Sequence, residues 1–281
     1  MKKIIIVLCV LLSSASYAVE YDLSVGVHDF IVQDIKNDVP QDGLPKGTSH
    51  TLGLNTAIYV KHVTQNGISL AAKIEAFIDR DKDHLDPDHY SVWFDAFVKA
   101  NGPMYTINEK NRLNWHLLMD NRQNTVSSVE REVRQHVGVG YLFDNNHLSF
   151  GANLYFGFYY IEFDDDVPVS RGYERQDLDD GESSSIVEFT GKYAINKDFV
   201  LTIGAKQYSA NTGFEKLEQD YEFHAEYGDG SFLSEGAKLN LKVKYVKYDL
   251  SRFYRPDIGV SVLPFDNDMI VQAYITVPIQ F

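Results

Sequence analysis

The chain has 281 residues, 26 Lys and Arg against 40 Asp and Glu, and a formal net charge of −14. A chain this acidic lacks the basic footprint of a nucleic-acid binder. No apolar run long enough for a membrane-spanning helix follows residue 18, although aromatic residues make up 13% of the chain.

Residues 1–18 read as a secretory signal peptide. Lys2 and Lys3 supply a charged start, Ile4 to Leu12 an apolar stretch, and Ser16-Tyr17-Ala18 a small-x-small cleavage site. The apolar stretch is too short to anchor the chain across a bilayer. Cys9, the single cysteine, is followed by Val10 and lies well ahead of the cleavage site, which does not suit lipoprotein acylation. The chain from Val19 onward therefore has no cysteine and can form no disulfide. Without Lys2 and Lys3, 24 basic residues face 40 acidic ones, a charge of about −16. Residues 19–281 show no repeat and no Pro/Ser-rich linker, and read as one domain.

Along those residues, apolar and polar positions alternate in segment after segment, the period-two signature of a strand with one apolar face. Tyr21, Leu23, Val25 and Val27 share a face, as do Leu52, Leu54, Ile58 and Val60. The segment from Ile68 to Ile78 follows the turn Thr64-Gln65-Asn66-Gly67, whose Asn-Gly pair is a strong hairpin signal. Further segments run from Tyr90 to Val98, Leu113 to Met119, Val133 to Phe143, Leu148 to Tyr160, Val187 to Ile195, Phe199 to Ala205, Ala237 to Tyr245 and Ile258 to Val262. The last is DMIVQAYITVPIQF, Asp268 to Phe281, in which Val271, Ala273, Ile275, Val277, Ile279 and Phe281 alternate with mostly polar neighbours. The total is about twelve strands, with ten or fourteen open because residues 211–235 are either one loop or a loop hiding strands such as Tyr221 to Tyr227.

Connections alternate in length. Short turns (64–67, 101–103, 144–146, 196–198) take turns with long polar segments (32–47, 80–88, 121–129, 164–184, 211–235). Short turns on one rim and long loops on the other are the pattern of a transmembrane antiparallel up-and-down β-barrel, an all-β fold. Closure also removes every unpaired edge, which lipid would not tolerate. Tyr21, Tyr141, Phe143, Tyr160, Phe199, Tyr245 and Phe281 fall toward segment ends, where aromatic belts would lie. Pro278 is an anomaly within the closing strand because it has no N–H for the ladder.

The closing strand, with alternating Ile275, Val277 and Ile279 and a terminal Phe281, resembles that of Gram-negative outer-membrane β-barrel proteins. Size and strand count also resemble a solitary autotransporter-type barrel, although alternation begins almost at Val19, so the helix that plugs such pores is missing or lies elsewhere. The resemblance implies residence in the bacterial outer membrane, contact with its lipid and lipopolysaccharide, and recognition of Ile275, Val277, Ile279 and Phe281 by the barrel assembly machinery. It implies no cofactor.

If the register holds, the lumen carries Lys73, Lys99, Arg112, Arg134, Lys192, Lys206, Lys238, Lys242 and Lys244, joined by Glu75, Asp95, Glu132 and Glu188. This mixed set leans basic. Either the charges pair and fill a narrow interior, or they line a water path favouring small anions, with Lys238, Lys242 and Lys244 as an anion track. The acidic excess falls in the expected outer loops, at 79–88, at Asp164 to Asp166, and at Asp177, Asp179, Asp180 and Glu182. Asp79, Asp81 and Asp83 could offer oxygens to a hard cation, but the segment lacks the Gly and distal Glu of an EF-hand. Solvated loop carboxylates are the simpler reading, and sharing divalent cations with lipopolysaccharide is the functional one.

No G-x-S-x-G, H-E-x-x-H or cysteine nucleophile is present. His116 and His136 are expected to face inward, which does not suit an enzyme acting on lipid. His50 beside Ser49 is the nearest approach to such a site. A narrow channel for small solutes is the expected function. The alternatives are a non-conducting surface or adhesion barrel, an autotransporter-like barrel and a lipid-acting enzyme.

Overall fold

The computed structural model describes residues 19–39, 46–80, 92–125, 129–164, 166–213, 215–228 and 234–279. Twelve antiparallel strands close into one barrel in which each strand pairs with its sequence neighbours and the last returns to the first. They are β1 (Glu20–Ile35), β2 (Gly47–Val63), β3 (Ser69–Asp79), β4 (Val92–Asn108), β5 (Asn111–Gln123), β6 (Val129–Asp144), β7 (Leu148–Phe163), β8 (Asp179–Ala194), β9 (Phe199–Ala210), β10 (Glu215–Tyr227), β11 (Lys238–Tyr248) and β12 (Asn267–Ile279). The β1–β12 seam holds from Tyr21 opposite Ile279 to Gln33 opposite Asn267, with Pro278 facing Asp22.

The period-two pattern sets the wall. Val25, Val27, Leu54, Ile58, Ile74, Val98, Val137 and Ile203 stand outward and are all more than half exposed. A continuous apolar surface of this kind is unusual on a water-soluble protein and is what lipid requires. Tyr21, Tyr141, Phe143 and Phe199 lie near the short-turn rim and Tyr160 and Tyr245 near the opposite one, on the outward parity of their strands. The turn between β2 and β3 is closed by Gly67 N donating to the Thr64 carbonyl at 3.0 Å, and Gly67 takes φ +76°, where a side chain would be strained.

Two sequence expectations are corrected and an open one is decided. Asn101-Gly102-Pro103 is no turn. β4 runs through it with a register irregularity between Pro103 and Tyr105, and the chain reverses at Glu109-Lys110. Ile258 to Val262 is no strand but part of the β11–β12 connection. Its alternation serves packing in a loop, where Tyr173 Oη donates to the Val260 carbonyl (2.8 Å) and Arg171 Nε to the Ser261 carbonyl (2.8 Å). In its place β10 crosses the wall within residues 211–235, where the sequence allowed either a loop or hidden strands such as Tyr221 to Tyr227. The count of twelve stands with one strand exchanged for another.

The long-loop mouth is filled. Inward residues at that end of the strands (Phe30, Val32, Phe77, Trp93, Tyr159, Phe163) pack with Val262, Leu263 and Phe265 from the β11–β12 loop and Val167 from the short helix α1 (Asp166–Ser170). Val262, Leu263 and Phe265 are at most 2% exposed. This is a soluble-type core placed inside the barrel, and burying it is what draws the loops inward. Arginines clasp it: Arg171 to Asp38 (2.8 Å), Arg252 to Asp180 and Glu182 (2.6 Å each), and Arg255 to Asp177 (2.6 Å). Asp177, Asp180 and Glu182 of the third acidic cluster are therefore structural. The hydrogen bond from Arg255 holds the Asp257 carboxyl below its ordinary value, whereas burial raises the Tyr173 hydroxyl.

Candidate functional site

Below the apolar plug the lumen becomes charged, in layers that follow from which strand presents which parity. In the upper layer Arg122 of β5 and Arg134 of β6 converge on Glu132 of β6 and reach across the barrel to Glu218 of β10, Arg122 at 3.0 Å. The Arg134 guanidinium also lies 3.8 Å from the centre of the Tyr208 ring. On the other side Glu75 of β3 accepts from Asn55 of β2 (3.0 Å) and from Gln272 of β12 (2.7 Å) and pairs with Lys73.

Beneath these contacts is a cavity of about 280 Å³, room for roughly nine waters. Its walls include Lys73, Asp95, Lys99 and Asp120 on one side and Glu188, Lys206, Glu222, Lys242 and Lys244 on the other. Thr190 and Thr202 also line it, close to the β8–β9 turn, so it extends toward the short-turn rim.

Of the expected lumen residues, Lys73, Glu75, Asp95, Lys99, Glu132, Arg134, Glu188, Lys206, Lys242 and Lys244 gather around this cavity or its ceiling. Lys192 shares the inward parity but is exposed near the short-turn rim, as is Arg112 at the start of β5. Lys238 stands at the same rim.

The sequence missed the acidic wall opposite the lysines. Glu218, Asp220, Glu222 and Glu226 all lie on the inward face of β10. Lys238 pairs with Glu226 (3.0 Å), Lys242 with Glu222 (3.1 Å) and Lys244 with Asp220 (2.9 Å), one rung each. The three lysines are thus not a bare anion track, and the interior is not predominantly basic. Lys206 is likewise held by Glu188 at 3.2 Å, a carboxylate that also accepts from Tyr155 Oη (2.8 Å) and Asn153 Nδ2 (2.8 Å). Alternation in Asp220, Glu222, His224 and Glu226 against Tyr221, Phe223, Ala225 and Tyr227 was the available signal.

The other candidates separate. Asp79 points inward, buried, and meets His28 Nε2 at 2.8 Å and Trp93 Nε1 at 3.3 Å, so it does not face a cation in a loop. Asp81 and Asp83 lie outside the described residues, as do residues 1–18 and Phe281. Among the described residues no group of three or more metal-ligating side chains is placed to hold an ion. Ser49 is buried on the inward face whereas His50 is exposed and bonds Asp29 at 3.1 Å, so adjacent residues of one strand point to opposite faces and cannot form a Ser–His pair. His136 does meet Ser184, at 2.6 Å, but both are buried in the lumen away from lipid.

No family profile matches the chain, and no curated protein matches it. Solved structures do. The chain is similar to an outer membrane channel from Pseudomonas putida F1, with a TM-score of 0.52 and 10% identity over 95% of this chain and 98% of that one. It also aligns with the NanC porin (TM-score 0.49, 14% identity, 90% and 98%) and with the KdgM porin in complex with disordered oligogalacturonate (TM-score 0.47, 10% identity, 91% and 99%). The first of these matches supports the fold, a closed β-barrel; the twelve strands and the outward apolar wall are those of a barrel that spans a membrane.

Proposed function

We propose that the protein is a narrow outer-membrane channel for small charged solutes, closed at its long-loop mouth in this structure. The carrying observation is the charged cavity of about 280 Å³ between the cross-lumen arginine layer and the short-turn rim. Charges that only fill an interior by pairing leave no such space, whereas charges lining a cavity replace part of a solute's hydration shell. The solved outer membrane channel from Pseudomonas putida F1 supports the reading through fold alone. Because each inward lysine of β11 pairs with a carboxylate of β10, selection among ions is set by pairs rather than by a basic surface.

Single-channel recording from the purified barrel in planar bilayers tests this. Discrete openings, with ion preference shifted toward cations by Lys242→Gln and toward anions by Glu222→Gln, are expected. A folded, heat-modifiable barrel that never conducts, even with its plug loosened, sinks the channel. The sealed outer mouth is the specific observation favouring the second reading, a non-conducting surface barrel, and that null result would select it. A lipid-acting enzyme is disfavoured because Ser49 and His50 face opposite sides of the wall.

A further inference from the structure

The cavity's charges do not all cancel, and the remainder has a pattern. Among the described residues, every lysine or arginine lining it except one has a carboxylate within ion-pair distance: Lys73, Arg122, Arg134, Lys206, Lys242 and Lys244. The exception is Lys99, whose ammonium lies 4.5 Å from the centre of the Phe97 ring. Two lining carboxylates, Asp95 and Asp120, likewise make no hydrogen bond or ion pair with another described side chain.

These groups form one row. Asp95, Phe97 and Lys99 are alternate residues on the inward face of β4, and Asp120 stands directly across from Phe97 on β5. Lys99 and Asp120 are thus diagonal cross-strand neighbours, roughly 7–8 Å apart at the backbone. The Phe97 ring face holds the ammonium through its ring electrons. One cation and two carboxylates without an ion pair remain beside that ring, lining the same cavity.

We propose that this row is a binding site for small zwitterions, the chemistry of free amino acids and short peptides. It rests on the channel reading and names the solute class for that channel. The ligand's carboxylate meets Lys99, its ammonium meets Asp120 with Asp95 beyond, and its body lies along Phe97. A purely anionic solute leaves both carboxylates opposing it, and a purely cationic one is opposed by Lys99. Only a ligand with both charges satisfies all three groups. Each contact is a charge-assisted hydrogen bond formed away from bulk water, where such bonds are at their strongest.

The test is block of the KCl current through the refolded full chain by L-alanine, and by its single-charge counterparts propionate and ethylammonium. L-Alanine is expected to halve the current at about a tenfold lower concentration than either counterpart, the equivalent of one charge-assisted contact. Lys99→Gln and Asp120→Asn should each erase that advantage while the barrel stays heat-modifiable and conducting, and Lys99→Arg should keep it. Equal block by all three probes, or an advantage that survives both substitutions, overturns the zwitterion site and leaves the channel standing. Absence of any current overturns the channel, and this site with it.

Discussion

Glu218 shows how much of the lumen hangs on single residues. It lies 3% exposed and draws Arg122 and Arg134 from the far side of the barrel. Removing one partner of a buried pair leaves charge uncompensated, which costs more than the pair itself contributes. Glu218→Gln would leave two guanidiniums to share Glu132, and is expected to destabilise the barrel by about 3 kcal/mol. Urea titration of the gel-mobility shift between folded and unfolded forms reads this directly. An unchanged midpoint would mean that water already solvates the arginines. Gly26 makes the complementary point about space. A Cβ there would sit 2.3 Å from Tyr274 Cβ, so the glycine is what lets β1 approach β12 closely beneath Tyr274, whose ring turns the other way to stack on His224 of β10.

At the scale of elements, the β11–β12 loop and β10 are the two that matter. The loop carries Val262, Leu263 and Phe265 into the long-loop mouth, and Arg252 fastens it to Asp180 and Glu182 of β8 and, at 3.4 Å, to Glu215 of β10. Arg252→Ala cuts all three contacts without touching the wall. Open probability in single-channel records should rise several-fold, with single-channel conductance unchanged because the cavity below is intact. A change in conductance with no change in open probability would place the constriction at the arginine layer instead.

At the scale of the whole molecule, two surfaces meet two solvents through one thin wall. Val137, 58% exposed midway along β6, faces lipid, while His136 beside it is buried in the lumen. Arginine at a lipid-facing midplane position costs about 2–4 kcal/mol. Val137→Arg should therefore lower folding stability in bilayers by about that amount. Refolding yield into vesicles, measured against urea, checks it, and an unaffected yield would mean that β6 does not face lipid at this depth.

Alternation along the chain determined the barrel, its two faces and the inward placement of Lys73, Lys99, Lys206, Lys242 and Lys244, because a strand's side-chain period fixes parity without reference to any neighbour. It erred where parity was masked or misleading. β10 stays ambiguous between polar loop and strand because its inward face is acidic from Glu218 to Glu226, and a lone strand gives no hint that three lysines of β11 stand ready to meet it. Ile258, Val260 and Val262 read as a strand because apolar alternation looks the same whether it faces lipid or caps a plug. Which charges cancel, and which loops turn inward, depends on residues far apart in sequence that closure brings across the lumen. Arg122 and Glu218 stand 96 residues apart in the chain and 3.0 Å apart in space. Local periodicity carries no term for that distance, so tertiary structure alone decided that the lumen is paired nearly throughout, is sealed at one end, and leaves Lys99, Asp95 and Asp120 unmatched.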